Sequence, residues 1–214
     1  MYTYEKAVFG SMEYLIARGD GLKDAEKQPA ILFLHGAGTR GRDLEILKGN
    51  PFFRHTAAKD LPAAVFAPQC QQSSWFDIFG ELLGFTDSLT QRGDLDTERI
   101  YLVGVSMGAY AAWQLAMSRP DTFAAVMPLC GGGMSWLAGR LASTAVWAFH
   151  GKLDDTVSVD ESIRMVNAVN RNGGSAILTV YPKAGHNCWD ATFSDDCCWN
   201  WLFSNTKNAY RHPK

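Results

Sequence analysis

The sequence predicts an α/β fold: a mostly parallel central sheet with helices on both faces and no large cap. Three observations carry that prediction. Short apolar runs alternate with helical patterns along the 214 residues. The runs are continuously apolar rather than alternating, as strands buried on both faces must be. Gly104-Val105-Ser106-Met107-Gly108 stands directly between one such run and a helical pattern.

Taken in order, the segment before Ala30, with Met12-Glu13-Tyr14-Leu15-Ile16, is a candidate edge hairpin. Strands are expected at Ala30–Leu34 and Ala63–Ala67 because each is a short apolar run between polar or turn-forming residues. Residues 77–92 have amphipathic helical spacing. Ile100–Val103 is a strand, and 107–118 is a helix stopped by Pro120. Ala124–Leu129 is a strand that runs into Gly131-Gly132-Gly133, and Ala145–Phe149 is another. A helix spans 160–171 and stops near Gly173-Gly174. A strand at Ala176–Tyr181 and a helix at 195–204 complete the pattern. Without a repeat, a low-complexity tract or a linker, residues 1–214 are expected to form a single domain.

Bulk properties narrow the function. Hydrophobic content of 47% suits a packed domain, and a net charge of −2 with scattered Lys and Arg gives no platform for nucleic acid or an anionic membrane. Neither a signal peptide nor a span-length apolar stretch is visible, so a soluble cytoplasmic protein is expected, with a removed export leader as the alternative. Composition leaves the oligomeric state open. The five cysteines, Cys70, Cys130, Cys188, Cys197 and Cys198, have no framework spacing and read as free thiols packed as small hydrophobes. A single disulfide involving Cys188 would matter in an exported protein.

In parallel sheets of this kind, chemistry gathers at the carboxyl ends of the strands. His35-Gly36-Ala37-Gly38, Ser106, Asp154 and His186 all fall there. A G-x-S-x-G turn between strand and helix lifts a serine hydroxyl to where a base can reach it. Ser106 is therefore the expected nucleophile and His186, after the last strand, its base. His35 is the rival base but is expected to shape the neighbouring glycine loop. His150 is expected beneath the acid loop, and His55 and His212 have no supporting context. Asp154 is favoured over Asp155 as the acid that orients the base. The backbone amides of Met107 and Ala37, with Gly38 next, are expected to stabilise an oxyanion. Gly38, Trp75 and Trp189 are expected at the substrate. Gly131-Gly132-Gly133 lacks phosphate-loop spacing and reads as a close-packed loop. No metal and no organic cofactor is expected.

On Leu34–Gly38, Pro68-Gln69-Cys70, Arg99–Gly108, Cys130–Gly133, His150–Val157 and Gly185–Asp190, the chain resembles the α/β-hydrolases. Within them it resembles the carboxylesterase, dienelactone-hydrolase and polyhydroxybutyrate-depolymerase-like group, and most of all the small bacterial esterases labelled predicted peptidases. The resemblance implies a Ser-Asp-His triad that hydrolyses esters through an acyl-enzyme, with a small-molecule ester as partner. Ser106 stands where dienelactone hydrolases carry cysteine, which argues against that specific activity. Narrower or rival expectations are a feruloyl or acetyl-xylan esterase, an acyl-thioesterase or acyltransferase on the same triad, and a ligand-binding pseudo-hydrolase.

Overall fold

The computed structural model describes residues 2–22 and 27–207. Among them eight strands form one sheet: β1 (Thr3–Phe9), β2 (Met12–Arg18), β3 (Gln28–Leu34), β4 (Ala64–Pro68), β5 (Leu95–Val105), β6 (Ala125–Leu129), β7 (Ala145–Gly151) and β8 (Ala176–Tyr181). Their order is β1-β2-β4-β3-β5-β6-β7-β8. β1 and β2 are an antiparallel hairpin, and β2 joins β4 antiparallel. Every pairing from β4 through β8 is parallel.

The continuous apolar runs have a direct structural cause. Side chains alternate across a strand. Leu32, Leu34, Leu102, Val126 and Val146 enter one core, while Ile31, Phe33, Val103, Met127 and Phe149 enter the other. The first core is closed by α3 (Phe79–Thr90), α4 (Met107–Ser118) and α5 (Asp160–Arg171), through residues such as Phe85, Leu115 and Val169. The second is closed by α1 (Leu44–Lys48), α2 (Pro51–Lys59), α6 (Trp189–Ser194) and α7 (Asp196–Ser204), through Leu47, Phe52, Phe193 and Trp199. Phe52 stacks on Phe33 at 3.9 Å between ring centroids and meets Phe193 edge-on at 5.4 Å. Burying each such ring contributes about 1.5–3 kcal/mol. This packing fixes α2 and α6 against each other above the strand ends.

Most expected elements lie within a few residues of their positions, and the candidate hairpin is β1–β2. The helices α1, α2 and α6 are additions. Each is short, and its apolar residues are too few to produce a periodic signal. The caps of α1 and α2 carry a sequence signal: Asp43 accepts from the Glu45 amide, and Asn50 accepts from the Phe52 amide with Pro51 at the first helical position. Among the described residues no helix is long and apolar enough to cross a membrane. His212 lies outside the described residues.

Candidate active site

The strand–turn–helix at Ser106 is built by close approach. Ser106 has φ +54° and ψ −118°, a conformation that costs roughly 1–3 kcal/mol and persists only where the surroundings enforce it. Its amide donates to the Leu129 carbonyl at 2.8 Å. A Cβ on Gly108 would lie 2.0 Å from the Leu34 carbonyl oxygen, and one on Gly104 would lie 2.3 Å from the Gly108 carbonyl oxygen. Only glycine lets α4 start so near β3 and β5.

A continuous hydrogen-bonded chain runs from this turn. Ser106 Oγ is 2.8 Å from His186 Nε2, and His186 Nδ1 is 2.7 Å from Asp154 Oδ2. Asp154 Oδ1 accepts from the amides of Thr156 at 2.9 Å and Val157 at 2.8 Å. The Asp154 side chain is fully buried. Burial alone would raise its pKa, but the bonds from His186, Val157 and Thr156 outweigh it and hold the carboxyl below its ordinary value. Asp155 is exposed, and its carboxylate accepts from the Thr156 hydroxyl at 3.4 Å. Beneath Asp154, buried His150 places Nε2 3.2 Å from Asp154 Oδ2 and 2.9 Å from the Val157 carbonyl. Its Nδ1 meets Ser162 Oγ at 2.8 Å, and Ser162 in turn donates to the Gly131 carbonyl at 2.9 Å. The glycine loop is thereby packed to the acid loop rather than forming a cradle for phosphate. A Cβ on Gly131 would lie 2.6 Å from the Ala109 Cβ.

Met107 is the first residue of α4, and Ala37 is the first of the 3-10 turn Ala37–Thr39. Both amides are therefore helix-start donors without an intrahelical acceptor. Gly36 brings the two together: a Cβ there would lie 3.4 Å from the Ser106 Cβ. The loop is fastened from behind. His35 Nδ1 donates to the Gly36 carbonyl at 2.7 Å, and its Nε2 accepts from the Cys70 amide at 2.9 Å. Burial pushes the His35 pKa down to about 4, so the ring is neutral in this role. Arg40 Nε donates to the Ala37 carbonyl at 2.9 Å, and its guanidinium reaches the Ser73 carbonyl at 2.8 Å.

A cleft of about 460 Å³ opens above Ser106 and His186, lined by Ala37, Gly38, Asn50, Pro51, Thr156 and Trp189 among others. Trp189 stands edge-on to His186, 5.4 Å between centroids. Gly38 and Trp189, expected at the substrate, both line this cleft. Trp75 does not. It is fully buried, and its Nε1 donates to the His35 carbonyl at 3.0 Å, so it supports the 35–38 loop instead of touching the cleft. Sequence reasoning missed Asn50 and Pro51, which reach the cleft as the cap and first residue of α2. Asn50 Nδ2 also donates to Thr39 Oγ1 at 3.2 Å. The Asn-Pro pair was the available signal.

The model of the dienelactone hydrolase family matches residues 66–194, from β4 through α6. The chain belongs to that family. Among curated relatives, feruloyl esterase C of Emericella nidulans is 25% identical over 169 residues, covering 76% of this chain and 62% of the relative. Probable feruloyl esterase C of Aspergillus niger is 28% identical over 178 residues, covering 79% of this chain and 65% of the relative. The chain therefore spans a little under two thirds of the length of these relatives. Among solved structures, a thermostable esterase superposes with a TM-score of 0.79 at 27% identity, over 96% of this chain and 63% of that one. A putative dienelactone hydrolase from Klebsiella pneumoniae superposes with a TM-score of 0.70 at 18% identity, over 95% of this chain and 98% of that one. Within the dienelactone hydrolase family, this member carries its G-x-S-x-G serine on the turn after β5.

Proposed function

We propose that the chain is a serine carboxylesterase for small carboxylic esters, with aromatic hydroxycinnamoyl esters of the feruloyl type as its preferred class. The observation that carries the proposal is the unbroken Ser106–His186–Asp154 chain, with bonds of 2.8 and 2.7 Å, at the floor of an open cleft. In this reading His186 Nε2 takes the Ser106 proton as Oγ attacks the ester carbonyl. Asp154 accepts from Nδ1–H and stabilises the imidazolium. The amides of Met107 and Ala37 bind the oxyanion, each worth about 2.7–4 kcal/mol of barrier in such sites. His186 then protonates the departing alcohol, and water repeats the sequence on the acyl-enzyme. Metal ions and organic cofactors have no part in these steps.

The substrate class rests on two supports. Relatives named feruloyl esterase are 25% identical to this chain over aligned stretches of 181 and 169 residues. The Trp189 ring beside His186 offers a flat wall to a planar acyl group. The β6–β7 connection carries only a 3-10 turn, Ser135–Leu141, so it builds no apolar tunnel for long acyl chains. The test is a panel of kcat/KM values on methyl ferulate, short-chain and long-chain alkanoate esters, and acyl-thioesters. Ferulate and short esters are expected to lead. Specificity that climbs steadily to long acyl chains, or favours thioesters, would refute the substrate class.

A further inference from the structure

Two thiols outside the hydrolytic chain meet beneath its histidine. Cys130 follows β6, and Cys188 lies two residues after His186 as the N-cap of α6. Both are fully buried. Their sulfurs are 2.9 Å apart, and Cys130 Sγ also reaches the His186 carbonyl oxygen at 3.1 Å. Cys130 is held at φ +54°, one of three described non-glycine residues in that region, another being Ser106. A side chain other than glycine stays there only where its surroundings enforce it. At Cys130 the conformation accompanies a thiol set against the histidine loop.

We propose that Cys130 and Cys188 are an oxidative modification site, a buried disulfide formed at the expense of a small disulfide such as oxidised glutathione. Its effect is to clamp the His186 loop to the end of β6. One protein thiolate attacks a glutathione sulfur and releases one glutathione thiolate. The second protein thiolate then attacks the mixed disulfide and releases the other. Two protein thiols and one oxidised glutathione become one protein disulfide and two reduced glutathiones, with two electrons passing to glutathione. From the observed contact, a bond of about 2.05 Å needs an approach of about 1 Å or less. The contact with Cys130 and burial both push the Cys188 thiol up, which disfavours the attacking thiolate inside the folded protein. The bond is therefore made while the chain folds, before the pair is sealed. Once sealed, the same burial shields it from reductants. It ties residues 58 positions apart, so it constrains the unfolded chain strongly. The inference is independent of the hydrolytic roles assigned above.

The experiment is to refold the reduced full chain either in a glutathione redox buffer or in dithiothreitol. Each product is unfolded, alkylated without reduction, weighed intact and mapped by peptide mass. Of the five cysteines, the glutathione product is expected to expose three to alkylation and to yield a peptide linking Cys130 to Cys188. Its Tm should exceed that of the dithiothreitol product by at least about 5 °C. In Cys188→Ser the linked peptide should disappear and the two Tm values should coincide. Five alkylated cysteines, a link through Cys70, Cys197 or Cys198 instead, or equal Tm values in the wild type would overturn the proposal. The wild-type comparison decides the matter even if the variant fails to fold.

Discussion

Asp154 and Asp155 are chemically identical neighbours that the fold separates into different jobs. Asp154 is buried and bonded to His186 and two amides, whereas Asp155 is exposed. Asp154→Asn should lower kcat by about 10³–10⁴, because the amide no longer favours the histidine tautomer that the base requires. Asp155→Asn should leave kcat within about twofold, because its solvated side chain makes no hydrogen bond to His186. Steady-state kinetics on purified variants checks the ranking, and the reverse order would reassign the acid. The Trp189 wall makes a different kind of prediction. Trp189→Ala should raise KM for methyl ferulate by about 2–10-fold, the worth of one aromatic contact, and affect acetate esters less. Equal losses on both esters would mean that the ring does not touch the acyl group.

At the scale of elements, the site depends on a segment that never reaches it. The stretch from Gln69 to Trp75 holds the 35–41 loop through the Cys70 amide on His35, the Trp75 indole on the His35 carbonyl and Gln69 Nε2 on the Thr39 carbonyl at 3.0 Å. Trp75→Phe keeps the ring but removes its donor, leaving a buried carbonyl short of a partner. That should cost about 1–3 kcal/mol, or several degrees of Tm in a chain of this size, measurable by thermal unfolding. An unchanged Tm would show that the bond carries no stability. This is also where sequence reading reached its limit. Residues 107–118 and 176–181 were legible to the residue as α4 and β8, because burial on a sheet imposes period and length. Ser106, Asp154 and His186 were legible because each sits at a strand's carboxyl end. Trp75 was not, since an aromatic in a loop gives no sign of whether it faces solvent, substrate or core. The helices α1 and α2 were hidden because their order comes from long-range packing of Leu47, Phe52 and Phe53 on the sheet, not from local periodicity.

The whole molecule should carry the imprint of buried His35 in its acid stability. His35 has a folded pKa lowered from 6.5 to about 4 by burial. Above pH 6.5 it is neutral in both states. Between pH 6.5 and about 4 the unfolded chain binds a proton that the folded chain refuses, so stability falls as pH falls through that window. Asp154 adds a loss at lower pH. Its depressed pKa contributes stability above the ordinary value of 3.8, and that contribution disappears as pH drops through the folded value. Tm measured from pH 8 to 3 should show both declines. His35→Gln, which can still accept from the Cys70 amide, should flatten the upper one; an unaltered slope would remove His35 from the account. The central claim, that the fold activates one serine, has a more direct test. A fluorophosphonate reacts only with an activated hydroxyl, and intact mass with peptide mapping reads where it goes. One adduct per chain on Ser106, absent in Ser106→Ala and strongly slowed in His186→Ala, is the predicted result. An unlabelled wild-type protein, or an adduct on any other residue, would contradict it.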